Sequence, residues 1–167
     1  MRMAEWERAF EELLAGRGGA LRSYGLLLTG ESAAAADLVQ EALLRVFSRL
    51  RVGGDVAQLE GYVRRAMLNQ FVDGRRRAGL WRAKRHLLVQ PVEHHDNDHL
   101  LADDVRRALG TLSPKQRACV VLRYYEDLTV PEIADQLGCA QGTVKRHLSD
   151  ARVKLATQLA VPEETMT

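Results

Sequence analysis

The apolar positions of this chain recur at helical rather than alternating intervals almost throughout. From Glu5 to Leu28, residues Trp6, Phe10, Leu13, Leu14, Leu21 and Leu27 follow a period near 3.6, interrupted by the "GRGG" of residues 16–19. That pattern predicts a short helix followed by a second, with "TGES" at 29–32 as a break. In "ADLVQEALLRVFSRL", residues 36–50, Val39, Leu43, Val46, Phe47 and Leu50 form a stripe suited to a core, and Asp37, Gln40, Glu41, Leu44 and Arg45 fall outside it. "RVGGDVAQ" (51–58) reads as a loop. "LEGYVRRAMLNQFVDGRRR" then resumes helical spacing with Tyr62, Ala66, Leu68 or Asn69, and Val72.

Residues 86–104, with Pro91 and "EHHDNDH", lack sustained periodicity and read as a linker, and a second unit begins near Asp103. In it, "SPKQ" carries a capping box: Ser113 at the cap, Pro114 at the first helical position, and Gln116 reaching back to the cap amide. This helix is expected to run to about Tyr125. "TVPE" repeats the device with Thr129, Pro131 and Glu132. Ile133, Ala134 and Leu137 then face inward, and Gly138 supplies a left-handed end. In the next segment Val144, Leu148, Ala151 and Leu155 keep one line, while Lys145, Arg146, Ser149 and Arg152 lie on the flanks and far side.

A short capped helix, a Gly-containing turn and a longer helix have the form of a helix-turn-helix. A helix of that kind fits the DNA major groove, with its N-terminal residues at base edges. Gln141, Thr143, Lys145 and Arg146 are the candidate readers. The competing reading is a solvated face on a helical bundle, and the capped helix and glycine turn weigh against it.

Val/Ile/Thr alternation is nearly absent and 5% of residues are aromatic, so an all-α protein is expected, its 46% hydrophobic content sufficient for proper cores. The net charge of +2 is uninformative as a total, because the charge is segmented. "RRRAGLWRAKR" at 75–85 carries six Arg and Lys and no carboxylate, whereas "DNDHLLADD" at 96–104 carries four Asp and no Arg or Lys. The stretch from Tyr62 to Arg85 combines eight basic residues with Tyr62, Phe71 and Trp81, which suits a single nucleic-acid strand, and equally a helix with an aromatic core side and a solubilising basic side.

Cys119 and Cys139 have neither CxxC spacing nor a disulfide framework and read as structural thiols in a reducing interior. His94, His95, Asp96, Asp98 and His99 match no zinc spacing, so no metal is assigned. A phosphate loop, a nucleophile elbow and HExxH are all missing, so neither catalysis nor a cofactor is expected. The acidic start "MRMAEWERAFEELLAG" is unlike a signal peptide, no apolar run reaches membrane length, and a soluble cytoplasmic protein is expected.

Taken together, "LSPKQRACVVLRYYEDLTVPEIADQLGCAQGTVKRHLSDARVKL" resembles region 4, and "DLVQEALLRVF" with "YVRRAMLNQFVDGRRR" resembles region 2, of bacterial RNA polymerase sigma factors of the extracytoplasmic-function group. The resemblance spans about residues 5–158, with the actinobacterial SigE-like members as the expected subfamily. It implies two small helical domains joined by a flexible linker: region 2 over 1–85, linker 86–102, region 4 over 103–160, and a disordered tail 161–167. It also implies a non-enzymatic subunit that binds core RNA polymerase, reads the minus-35 element as duplex and captures the melted minus-10 strand.

The implied minus-35 contacts are Gln141, Thr143, Lys145, Arg146, Ser149 and Arg152. The implied minus-10 contacts are Asn69, Asp73, Arg65, Arg75, Arg76 and Arg77, with a flipped base held by Asn69 and the loop at 51–58. Asp37, Gln40, Glu41 and Leu44 would meet the clamp coiled coil of the largest polymerase subunit, with the polymerase flap and an anti-sigma factor as further partners. Two departures stand out: Asp150 occupies a position that is often basic, so no phosphate contact is assigned to it, and "RVGGD" lacks the aromatic residue of some relatives. The alternative from the residues alone is a stand-alone helix-turn-helix regulator whose residues 1–85 dimerise or sense.

Overall fold

A computed structural model describes residues 2–49, 56–85 and 102–159, and the side chains within them apart from 2–4, 6 and 75–85. Two compact units divide between Leu100 and Leu101. Among the described residues the regular structure is entirely helical, as the periodicity predicts. The linker expected at 86–102 lies outside the described residues except for Ala102, as do residues 51–55 of the expected loop and the tail at 161–167.

Unit 1 packs three helices against one another: α1 (Arg2–Thr29), α2 (Ser32–Arg49) and α3 (Val56–Arg85). The break expected at "GRGG" does not occur, and α1 runs through Gly16, Gly18 and Gly19. Three glycines in a helix cost about 3 kcal/mol relative to alanine. Against that, Leu13, Leu21, Tyr24 and Leu28 lie on one side of α1, each 1% exposed or less, and each such burial contributes roughly 1.5–3 kcal/mol. Packing therefore overrides propensity.

Arg17, between the two leucines, holds the helix to α3. Its Nε and Nη2 donate to the two carboxylate oxygens of Glu60 at 2.9 Å each, and Arg64 Nη2 donates to the same carboxylate at 2.9 Å. The hydrogen bonds from Arg17, reinforced by Arg64, hold the Glu60 carboxyl below its ordinary pKa against the opposing effect of partial burial. Arg64 also sits over the Tyr24 ring, 5.1 Å from its centroid.

The α1–α2 corner follows from "TGES". Gly30 takes φ +79°, its N–H donates to Leu26 at 2.7 Å, and Thr29 Oγ1 donates to the Gly25 carbonyl at 2.8 Å. Close by, a Cβ on Gly25 would meet the Ala35 carbonyl oxygen at 3.2 Å and its Cα at 3.3 Å, so this glycine permits the helices to approach.

Two apolar lines depart from the recurrence in the sequence. On α2, Val39, Leu43 and Val46 are buried, joined by Ala35 and Ala42, but Phe47 is 40% exposed and packs edge-on against Phe10 with centroids 5.7 Å apart. Leu50 lies outside the described residues. On α3 the buried line is Leu59, Val63, Met67, Leu68 and Phe71. Of the recurring positions Leu68 is buried and Ala66 and Val72 are half-buried, but Tyr62 is exposed, because the i, i+4 row one position along offers a continuous apolar edge and its own does not.

Unit 2 comprises α4 (Asp103–Gly110), α5 (Pro114–Val120), α6 (Val130–Leu137) and α7 (Gln141–Leu159). The Ser113 box forms as predicted: Gln116 N–H donates to Ser113 Oγ at 3.3 Å and Ser113 N–H to Gln116 Oε1 at 3.1 Å. The same Gln116 oxygen accepts from Lys154 Nζ at 2.9 Å, tying α5 to α7. After Val120 the chain continues as one wide π-turn, Val121–Tyr125, so the helical end near Tyr125 is right but its last turn is not α. Arg123 Nη1 closes the following loop on the Leu128 carbonyl at 2.9 Å. Asp127 there adopts φ +56°, a conformation Asp tolerates better than most residues.

Continuity of α1 has a direct test. Gly16 has open space around a built Cβ, so Gly16→Ala is expected to raise stability by about 0.5–1 kcal/mol in urea unfolding. Gly25→Val is expected to lower it by about 1–3 kcal/mol through overpacking. A neutral or destabilising Gly16→Ala would show that α1 is broken there.

Candidate nucleic-acid interface

The geometry of unit 2 turns on how α6 and α7 are started and stopped. Thr129 and Glu132 form the second capping box: Glu132 N–H donates to Thr129 Oγ1 at 3.3 Å and Thr129 N–H to Glu132 Oε2 at 3.0 Å. Pro131 sits in the first turn, where no intrahelical N–H bond is lost. Gly138 ends α6 at φ +64°, with its N–H on the Asp135 carbonyl at 3.3 Å and the Cys139 N–H on that of Ala134 at 3.0 Å. The next helix begins at once, Thr143 and Val144 both donating to the Ala140 carbonyl. Ile133 and the small Ala134 are buried where α6 crosses α7.

Val144 and Ala151 are fully buried and Leu148 nearly so, and Leu155 is half-buried, as the spacing predicts. That fixes the rotation of α7 about its axis. Gln141, Thr143, Lys145, Arg146, Ser149 and Arg152 are all exposed. Gln141, Lys145, Ser149 and Arg152 run along one flank at i, i+4, i+8 and i+11, and Arg152 Nε donates to the Tyr124 hydroxyl at 3.2 Å. Asp150 is exposed on the opposite flank with His147 half-buried beside it. Burial first, then the positive charges of Lys115 and Arg146, lower the His147 pKa against the opposing pull of Asp150. Burial, with a smaller contribution from Cys139, pushes the Cys119 thiol up to about 12, so that thiol is a packing group and not a nucleophile.

In unit 1 the outer row of α3 carries Tyr62, Arg65, Asn69 and Asp73, all exposed. Arg75, Arg76 and Arg77 continue on the same helix, but their side chains lie outside the described residues. Beside this row, between α2 and α3, is a groove of about 280 Å³ lined by Arg45, Val46, Arg49, Tyr62, Arg65, Ala66 and Asn69. The sequence placed Arg45 outside the apolar stripe of α2 but assigned neither it nor Arg49 to a site. Their i, i+4 spacing was legible, but nothing in it said that the line faces α3. On a separate exposed line of α2 are Asp37, Gln40, Glu41 and Leu44, the last 62% exposed. Among the described residues no group of three or more His, Cys, Asp and Glu could hold a metal ion, and the cluster at 94–99 lies outside them. No described helix is long and apolar enough to cross a membrane.

Comparison with known proteins accounts for both units. Residues 102–155 match the family "Sigma-70, region 4". The chain is 32% identical over 157 residues to an RNA polymerase sigma-E factor of Streptomyces coelicolor, an alignment covering 90% of this chain and 85% of that protein. It is 33% identical to the ECF RNA polymerase sigma factor SigL of Mycobacterium tuberculosis, over 75% of this chain and 74% of the relative. The chain belongs to the ECF RNA polymerase sigma factors.

Among solved structures, the sigma factor RpoE of Bartonella quintana, crystallised with the anti-sigma factor NepR, is similar at a TM-score of 0.66 and 25% identity, over 92% of this chain and 98% of that one. The relatives span both units of this sigma factor, which supports the sigma-factor reading over a stand-alone helix-turn-helix regulator.

The half-buried His147 gives the stability of unit 2 a pH dependence. Because its folded pKa lies below the unfolded value of 6.5, the unfolded chain takes up the proton first as pH falls. Stability should therefore decline as pH drops through about 6.5 and level off below the folded value. In urea unfolding of the whole chain, followed at the methyls of Val144 and Leu148 from about pH 7.5 to about pH 5, His147→Gln is expected to flatten that decline. An equal decline in both proteins would remove His147 as its source.

Proposed function

We propose that this sigma factor acts as a dissociable, non-catalytic subunit that gives core RNA polymerase its promoter specificity from within the cytoplasm. The observation that carries the reading is the rotation of α7: burial of Val144, Leu148 and Ala151 presents Gln141, Thr143, Lys145 and Arg146 to solvent on the first turns of a helix-turn-helix. In this reading those residues enter the major groove of the minus-35 duplex, with Ser149 and Arg152 continuing along the groove wall. Lys and Arg supply affinity by releasing condensed counterions, and base-edge contacts supply register.

Residues 1–85 serve as the region 2 domain, 103–160 as region 4, and 86–102 as the tether between them. Asn69, Asp73 and Arg65, followed by Arg75, Arg76 and Arg77, form the face that takes the melted minus-10 strand, whose capture offsets the cost of unpairing. Asp37, Gln40, Glu41 and the exposed Leu44 form the surface for the clamp coiled coil, and the flap is a further polymerase contact. Leu44, 62% exposed among polar neighbours, supports a protein contact there. An anti-sigma factor is a further partner, by analogy with the Bartonella relative crystallised with NepR.

The test is reconstitution: purified chain, bacterial core polymerase and a promoter library in a run-off transcription assay. Specific initiation that requires all three is expected. Site-specific duplex binding by the chain alone, with no polymerase dependence, would overturn the proposal. Within the active complex, Lys145→Ala is expected to weaken promoter binding and reduce the salt slope by about 0.9 per lost phosphate contact. An unchanged slope would take Lys145 off the phosphate backbone.

A further inference from the structure

We infer that Asp150 selects a cytosine in the minus-35 duplex by accepting its N4 amino group, and that Lys115 on α5 holds the phosphate beside it. This rests on the reading that α7 enters the major groove, and deepens it. Asp150 is the only carboxylate in α7.

Burial of Val144, Leu148 and Ala151 turns the opposite side of α7 outward. At 3.6 residues per turn, Arg146 and Val153 stand opposite that buried line, and Asp150 stands about 50° to one side of them. Asp150, Arg146 and Lys115 are exposed, and none has a hydrogen-bond or ion-pair partner among the described residues. The carboxylate therefore holds nothing in the fold. All three charges act on the proton affinity of the half-buried His147, which places them around one side chain. Lys115 is fixed there by the start of α5, where the neighbouring Gln116 oxygen accepts from Ser113 N–H at 3.1 Å and from Lys154 Nζ of α7 at 2.9 Å.

The chemistry of the carboxylate selects the base. An ionised carboxylate only accepts hydrogen bonds. In the major groove guanine presents N7 and O6, thymine presents O4, and adenine presents N7 beside its amino group, so each places an acceptor against Asp150. Cytosine presents its N4 amino group alone. Phosphate repels a carboxylate too, which leaves a base edge as the contact. Arg146 lies one turn earlier, about 6 Å back along the axis, and addresses a base one or two steps away, since successive base pairs rise about 3.4 Å. On the Asp150 side of α7, Lys154 is engaged by Gln116. The cation that offsets the carboxylate next to the backbone is then Lys115.

The experiment uses the full chain assembled with core polymerase, and promoters that keep the minus-10 region of one recovered in the run-off selection while the minus-35 element is randomised. Bound DNA is sequenced. The unaltered chain is expected to select cytosine, on one strand at one position, about 5-fold over each other base. Asp150→Ala is expected to lose that preference and keep the others. Asp150→Asn is expected to move it to adenine, because an amide pairs with N6 and N7 together. Lys115→Ala is expected to weaken binding to all sequences alike and reduce the salt slope by about 0.9, with base preference retained, and Lys115→Arg to restore the slope. Thermal unfolding should be unchanged in each, since both side chains are exposed.

Arg146→Ala separates this inference from its parent. If Arg146→Ala changes the selected sequence and Asp150→Ala does not, α7 is in the groove, Asp150 reads no base, and the inference falls alone. If neither changes it, or if no minus-35 sequence is selected at all, the parent reading fails and this one with it. A uniform gain in affinity in Asp150→Ala, with base preference intact, would make the carboxylate a repulsive charge only and overturn its role. An unchanged salt slope in Lys115→Ala would take Lys115 off the backbone and overturn the second half of the inference.

Discussion

The burial of Val144, Leu148 and Ala151 is the constraint on which unit 2 depends. These side chains form a single narrow apolar line, and α7 can satisfy it in one rotation about its axis. Everything on the outer face follows from that rotation, including the exposure of Lys145, Arg146 and Ser149. The core thereby sets the chemistry of the surface. The capping boxes at Ser113 and Thr129 and the left-handed Gly138 decide where each helix starts and stops, which fixes the first exposed residues of α7. Lys154 on Gln116 and Arg152 on Tyr124 add two polar ties between α7 and the elements beneath it.

Unit 1 solves a different problem, since its helices are long and α1 contains three glycines in four residues. Its helices are held by a broad apolar core and by a polar clasp in which Glu60 accepts from both Arg17 and Arg64. A carboxylate bridging two cations on different helices resists sliding of α1 along α3, because forked charge-assisted bonds are directional. Sliding would also carry Gly25 away from Ala35 of α2, where α1 and α2 approach closely enough that a Cβ would be crowded. With the bundle fixed in this way, α2 and α3 present separate polar lines, one acidic with Leu44 and one basic with Tyr62 and Asn69.

As a sigma factor, the protein distributes its charge to match this division. A net charge of +2 is far too small to describe its surfaces. Basic residues concentrate along α3 and on α7, and acidic residues mark 96–104 and part of α2. Local fields of opposite sign allow one chain of modest total charge to meet a polyanion with some faces and a protein with others.

The sequence by itself determined the helical class, both capping boxes, the break at 29–32, the glycine stop at 138, the inward line of α7 and the sigma-factor resemblance. All of these rest on local spacing, in which the residues that interact lie within about four positions of each other. The tertiary structure decided the rest. It alone made α1 continuous through Gly16 to Gly19, because the gain comes from leucines that meet α2 and α3. It set the inward line of α3 on Leu59, Val63, Met67, Leu68 and Phe71, leaving Tyr62 outside, and set Phe47 on the rim against Phe10. It also brought Arg45 and Arg49 across from Asn69 to make one groove. Periodicity reports that a helix has an apolar side, but which neighbouring side chains share a cleft depends on how helices far apart in sequence cross.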